Sequence, residues 1–177
     1  MIYTLMADGF EEIEALAVVD ILRRANIDIK TVSINDNLKV IGAHQISVYA
    51  DCLVTEMGDY DAIFLPGGYP GYENLGNSKE VIRIINEAND NNKLLIAICA
   101  APSLLGREGL LKEKSACCFP SFEKELIGAD VSFDDVVIDG NIITSRGAGT
   151  AHKLGFKIVE LFKGKDFADD LTKKMLY

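Results

Sequence analysis

Apolar and polar positions along this chain repeat in two periods, and the changes of period mark its elements. Ile2–Met6 is a short apolar run that stops at Ala-Asp-Gly. From Glu11 to Ala25 apolar residues return at helical spacing, through Ile13, Leu16, Ala17 and Ile21, with Arg23 and Arg24 near the C-terminal end. Ile27–Ile34 alternates as a strand does, and Val40–Tyr49, broken at Gly42, reads as one or two strands of a hairpin or flap. The stretch DAIFLPGG ends a further buried strand in a turn. Ser78 is placed to cap a helix reaching about Asn89, and the strand Leu94–Ile98 runs through Cys99 into a helix near Ala101–Arg107. The pattern then predicts a strand at Ser115–Phe119 and a hairpin of Val136–Ile138 with Ile142–Thr144 about Asp139-Gly140. A long helix from Thr150 through Phe162 and a short one over Asp166–Lys174 complete the series.

Buried strands alternating with helices predict a doubly wound α/β sandwich around a mostly parallel sheet. In such sheets ligands bind where the strands end at their C-terminal edge. Four turns belong to that edge: MADGFEE, LPGGYPG, ICAAP and TSRGAGT.

A chain of 177 residues can bury one substantial core, so a single domain over residues 1–177 is expected. With 27 acidic against 18 basic residues the formal net charge is -9, which repels phosphate backbones and anionic lipid. Nucleic acid and membrane surfaces are therefore excluded as partners. The start of the chain has no basic leader and no apolar run approaches the roughly 20 residues needed to span a bilayer, so a cytoplasmic location is expected. Cys52, Cys99, Cys117 and Cys118 lack C-x-x-C spacing, and neither His44 nor His152 has a ligand cluster beside it in sequence. No metal site and no cofactor is expected.

Cys99 carries the candidate chemistry. A strand passing directly into a helix bends sharply, and the residue at the bend points out of the sheet beside the helix N-terminus. Ala100 and Ala101 keep the bend uncrowded, and Pro102 suits a first helical turn. The helix end should favour a thiolate and lower the thiol pKa from its usual ~8.5. The plain alternative is a small apolar filler. Glu14 shares a helical stripe with Val18, Ile21 and Ala25, so its carboxyl faces inward near the same edge. Two adjacent negative groups are costly, and the pair is expected to hold one shared proton, on a neutral Glu14 that donates to a thiolate. Gly67 and Gly68 let the backbone approach closely, and the N–H of Gly68 with that of Ala100 is expected to hold an oxyanion or a substrate carbonyl. Ser145 and Arg146 are expected to brace the pocket from the side.

The segments GFEEIEA, RRANI, LPGG, AICAAPSLLG and TSRGAGTA resemble the ThiJ/PfpI superfamily, in the branch of the parkinsonism-associated deglycase and chaperone protein. The resemblance implies a flavodoxin-like, class I glutamine amidotransferase-like fold and a homodimer with the first helix near the interface. It also implies that Cys99 is the elbow nucleophile, readily oxidised to sulfinic acid, and that Glu14 is its carboxyl partner. The activities it implies are glyoxalase or deglycase action on small carbonyl compounds, or a chaperone or redox-sensing role. Three departures bear on this. Peptidase-like members carry a histidine after the cysteine, where this chain has Ala100. The deglycase branch often has a histidine before a proline, where this chain has Phe119 before Pro120. A glutamine amidotransferase needs His-x-Glu, but His152 precedes Lys153-Leu154 and His44 precedes Gln45-Ile46.

Amide hydrolysis is therefore disfavoured, since no imidazole stands ready to protonate a leaving amine. Aldehyde chemistry asks less of the site. The leading expectation is a cofactor-free, cysteine-dependent glyoxalase or deglycase-like protein. The alternatives are a redox-responsive stress protein with an oxidisable Cys99 and, behind it, a cysteine peptidase or amidase. A thiazole or thiamine role would be nomenclature only.

Overall fold

The computed structural model describes residues 1–177. Its elements run β1 (Ile2–Met6), α1 (Glu12–Arg24), β2 (Ile29–Ser33), β3 (Lys39–Ile41), β4 (Ser47–Tyr49), β5 (Cys52–Leu53), β6 (Ala62–Leu65), α2 (Gly71–Asn77) and α3 (Lys79–Asp90). They continue with β7 (Leu94–Ile98), α4 (Pro102–Arg107), β8 (Ser115–Ala116), β9 (Asp130–Val131), β10 (Val136–Asp139), β11 (Ile142–Ser145), α5 (Ala151–Lys163) and α6 (Lys165–Lys174). Seven strands form the central sheet in the order β10-β11-β7-β6-β1-β2-β5, parallel throughout except for β10 against β11. Helices on both faces explain why β1 and β6 are apolar at almost every position instead of alternating.

Each strand divides its side chains between two cores. Ile2, Phe64, Ile96 and Ile98 pack with Val18 and Ile21 of α1 and with Leu154, Ile158 and Leu171 of α5 and α6. Tyr3, Leu5, Leu95 and Ala97 pack on the other face with Val81 and Ile85 of α3 and Leu104 of α4. Ser78 caps α3 by accepting the Val81 N–H. The β3–β4 hairpin is the predicted flap, folded over Phe10 and Ala15 through Val40.

Two differences from the expected elements have local causes. Residues 71–77 form α2, although GYENLGN shows no helical period; Gly71 is there because a Cβ would stand 2.5 Å from the Gly9 carbonyl carbon. The strand expected over Ser115–Phe119 is regular only at Ser115–Ala116. Beyond it, Cys117 donates its N–H to Thr144 Oγ1 and Phe119 donates to the Cys99 carbonyl, so the segment leaves its ladder to line the sheet edge.

Candidate active site

The C-terminal ends of β1, β6, β7 and β11 bring the four predicted turns together. Glu11 donates its N–H to the Gly67 carbonyl, Gly71 to Gly9, and Cys99 to the Ser145 carbonyl at 2.9 Å. Cys99 itself has φ +66°, the left-handed region that a non-glycine residue occupies only when its surroundings impose it. That angle has a visible consequence. Strand alternation would place Cys99 with Leu95 and Ala97 beneath α3 and α4, yet it packs in the opposite core, on the side of α1, while Ala100 takes the α3–α4 side. The elbow thus turns the sulfur toward Glu14.

Glu14 lies in the first turn of α1, its N–H donated to the Glu11 carboxylate at 2.7 Å, and its side chain is 1% exposed. Its Oε2 accepts the Gly67 N–H at 2.9 Å, it takes a further N–H from Ala148, and it shares a hydrogen bond with the Cys99 thiol. Gly67 has no room for more: a Cβ there would sit 2.6 Å from both Cys99 Cβ and Glu14 Oε2. The sulfur receives N–H groups from Ala100 and Gly68.

Burial pushes the Glu14 carboxyl up to about 7, against the hydrogen bonds from Cys99, Gly67 and Ala148, with the charge of Glu11 adding to the rise. The Cys99 thiol is also pushed up, by burial first and then by the charge and hydrogen bond of Glu14; the Ala100 and Gly68 N–H groups pull the other way. This corrects both the expectation of a thiol made acidic by the helix end and that of a neutral Glu14 donating to a thiolate: above about 7 the shared proton rests on the sulfur and Glu14 carries the charge. A neighbouring carboxylate inside a water-poor site outweighs two backbone donors and a six-residue helix. The two acids hold one proton between them over a wide pH range.

The other predicted residues make the following contacts. The Gly67 N–H is committed to Glu14, which leaves Gly68 and Ala100 as the donors at the sulfur. Ser145 supports the elbow through its carbonyl, and its hydroxyl bonds to the Asp135 carbonyl and Thr150 Oγ1. The Arg146 guanidinium donates to the Phe133 carbonyl, and its charge reaches Cys117 and Cys118. Three neighbours of the pair carry little signal in the sequence. Ala148 and Thr150 hold the turn after β11, and GAGT following a strand is all that marks them. Phe119 stands out in sequence only as the absence of a histidine before Pro120.

Neither histidine serves Cys99. His44 bonds through its backbone N–H and Nδ1 to Glu12, both at 2.8 Å, and His152 stacks on Tyr177 with ring centroids 5.2 Å apart. His44, Glu11 and Glu12 do come together in space, but Glu12 uses both oxygens on His44 and Glu11 caps α1. A hollow of about 550 Å³ between Gly58, Tyr60, Asp61, Glu87 and Lys93 lies at the opposite sheet edge and is lined by no cysteine, serine, threonine or histidine. No helix is long and apolar enough to cross a membrane.

The chain and its fold have counterparts among known proteins. The model of the DJ-1/PfpI family matches residues 1–161. The chain belongs to the DJ-1/PfpI family. Among DJ-1 relatives, protein dj-1beta of Drosophila melanogaster is 34% identical over 176 residues, covering 97% of this chain and 94% of that protein. DJ-1 homolog B of Arabidopsis thaliana is 37% identical over 97% of this chain. The chain spans only 40% and 45% of the length of the two Arabidopsis homologues. A crystal structure of a DJ-1 superfamily protein from Salmonella typhimurium, solved as a cysteine-to-alanine mutant, superposes with a TM-score of 0.95 at 31% identity, covering 99% of this chain and 97% of that one. Oxidised DJ-1 of Toxoplasma gondii matches with the same TM-score at 30% identity and the same coverage. The α/β sandwich around a mostly parallel sheet is the DJ-1 fold.

Proposed function

We propose that this DJ-1/PfpI protein is a cofactor-free, cysteine-dependent enzyme of the glyoxalase or deglycase type, acting on α-oxoaldehydes or their adducts. The observation that carries the reading is the Cys99 sulfur held between the Glu14 carboxyl and the N–H groups of Gly68 and Ala100. The sulfur gives its proton to Glu14 and adds to the aldehyde carbon; a C–S bond forms and the resulting oxyanion is held by the two N–H groups. Protonated, it is a hemithioacetal. Glu14, its carboxylate freed by that protonation, takes the hydrogen of that carbon as a proton and returns it to the adjacent carbonyl carbon, while the hemithioacetal hydroxyl loses its proton to the oxygen of that adjacent carbon through the intervening enediol. The first carbon is thereby oxidised to a thioester while the second is reduced to an alcohol. Water hydrolyses the thioester, releasing a 2-hydroxy acid and the thiol. Methylglyoxal should yield lactate with the parent and none with Cys99→Ala; equal rates in both would remove the proposal.

A second reading is favoured by one observation: the similar Toxoplasma protein was solved in an oxidised form. Cys99 is the half-buried thiol of the four, whereas Cys52, Cys117 and Cys118 are buried. Under graded hydrogen peroxide this reading expects a two-oxygen adduct on Cys99 alone, with peroxide reduced to water. Oxygen spread over all four cysteines in intact-protein mass spectra would count against it. We also propose a homodimer through the start of α1 and the β3–β4 hairpin, where Ile13, Ile46 and Tyr49 are exposed together with His44.

A further inference from the structure

Phe119 stands where no structural demand puts it. Its neighbours Cys117 and Cys118 are buried, yet its own side chain is 47% exposed. It is fixed to the elbow, because its N–H donates to the Cys99 carbonyl at 2.8 Å. Its ring borders the site: the point that a Cβ on Gly147 would occupy lies 3.3 Å from Phe119 Cδ2 and 3.8 Å from Glu14 Oε1. Ring and carboxyl therefore flank one bare stretch of backbone. The other chemical fact about this mouth is its charge. Glu14 acts on Cys99 and Glu11 acts on Glu14, both negative, while the cation that reaches Cys117 and Cys118, Arg146, has its guanidinium engaged at the Phe133 carbonyl. A carboxylate-bearing carbonyl compound is repelled, while a flat apolar substituent finds a partner ring.

We infer that Phe119 is a specificity residue, an apolar wall that selects uncharged carbonyl compounds carrying an aryl group beside the reacting aldehyde. Arylglyoxals are then preferred over methylglyoxal, and methylglyoxal over glyoxylate. The inference rests on Cys99 being the reacting group, and it extends the proposed function by naming a substrate class.

Alkylation of Cys99 tests it without requiring turnover. The readout is the ratio of second-order rates with iodoacetanilide and iodoacetamide, followed by intact mass and normalised to the ratio for N-acetylcysteine. The parent should exceed the free thiol by about tenfold, a gain typical of one well-placed apolar contact. Phe119→Ala and Phe119→His should lose that excess, and Phe119→Tyr, which keeps the ring, should retain it. A parent ratio equal to that of the free thiol, an unlabelled Cys99, or an excess that survives in Phe119→Ala overturns the inference. Turnover separates it from the reading beneath it. Lactate formed from methylglyoxal with no preference for phenylglyoxal would sink the specificity claim and leave the glyoxalase reading standing. Aryl-selective labelling with neither lactate nor mandelate formed would do the reverse.

Discussion

Glu14 is a carboxyl group with almost no access to water, and its protonation feeds back on folding. In the unfolded chain it titrates near its ordinary 4.5, and in the folded chain near 7. Between those values the folded protein keeps a proton that the unfolded chain has released, so stability falls as pH rises from 4.5 to 7 and levels off above. The loss is on the order of 3 kcal/mol. Replacing Glu14 with Gln should flatten that slope, read from urea midpoints across the interval; parallel slopes in parent and variant would contradict it. The inward direction of this carboxyl was legible from the stripe of Val18, Ile21 and Ala25, all buried as the spacing required. The direction of the thiol shift was not. A helix end is visible in sequence, but the water excluded from around Cys99 is not.

At the level of elements, the bend at Cys99 works only if α4 starts and stays where β7 delivers it. Gly106, near the end of α4, lies against the short turn at 123–125: a Cβ there would stand 2.1 Å from the Glu125 carbonyl oxygen and 2.9 Å from Leu126 Cα. Backbone cannot rotate aside as a side chain can. Gly106→Ala should therefore cost about 1–3 kcal/mol, despite the better helix propensity of alanine. In a chain of this size that lowers the melting temperature by roughly 2–4 °C per kcal/mol. An unchanged or raised melting temperature would show that α4 has slack. The periodic elements α1, α3 and α5 were readable because each turns one apolar stripe to the sheet. α2 was not, because its sequence serves a glycine contact with Gly9 instead of a stripe. The strand at Ser115 was legible, but its two-residue extent and the existence of β9 are set by pairing at a distance, Ser115 with Asp130 and Ala116 with Val131, which no local pattern announces.

For the whole molecule, the parallel sheet gathers at one edge residues far apart in sequence, Glu14, Gly68, Cys99, Phe119 and Ala148, and leaves Ile13, Ile46 and Tyr49 exposed near it. If that apolar patch is the proposed dimer interface, light scattering should give twice 19.3 kDa for the parent and 19.3 kDa for Ile46→Asp; a monomeric parent would refute it. The central claim, however, concerns the proton that the sheet edge forces Cys99 and Glu14 to share. It is tested most directly by the pH profile of Cys99 alkylation in the parent and in Glu14→Gln. The account predicts a parent profile with an inflection near 7, from the first proton leaving the pair, and a second rise at higher pH. In Glu14→Gln the inflection should vanish, leaving one titration at lower pH than the parent's second rise. A single curve near the ~8.5 of free cysteine, the same in both proteins, would contradict it.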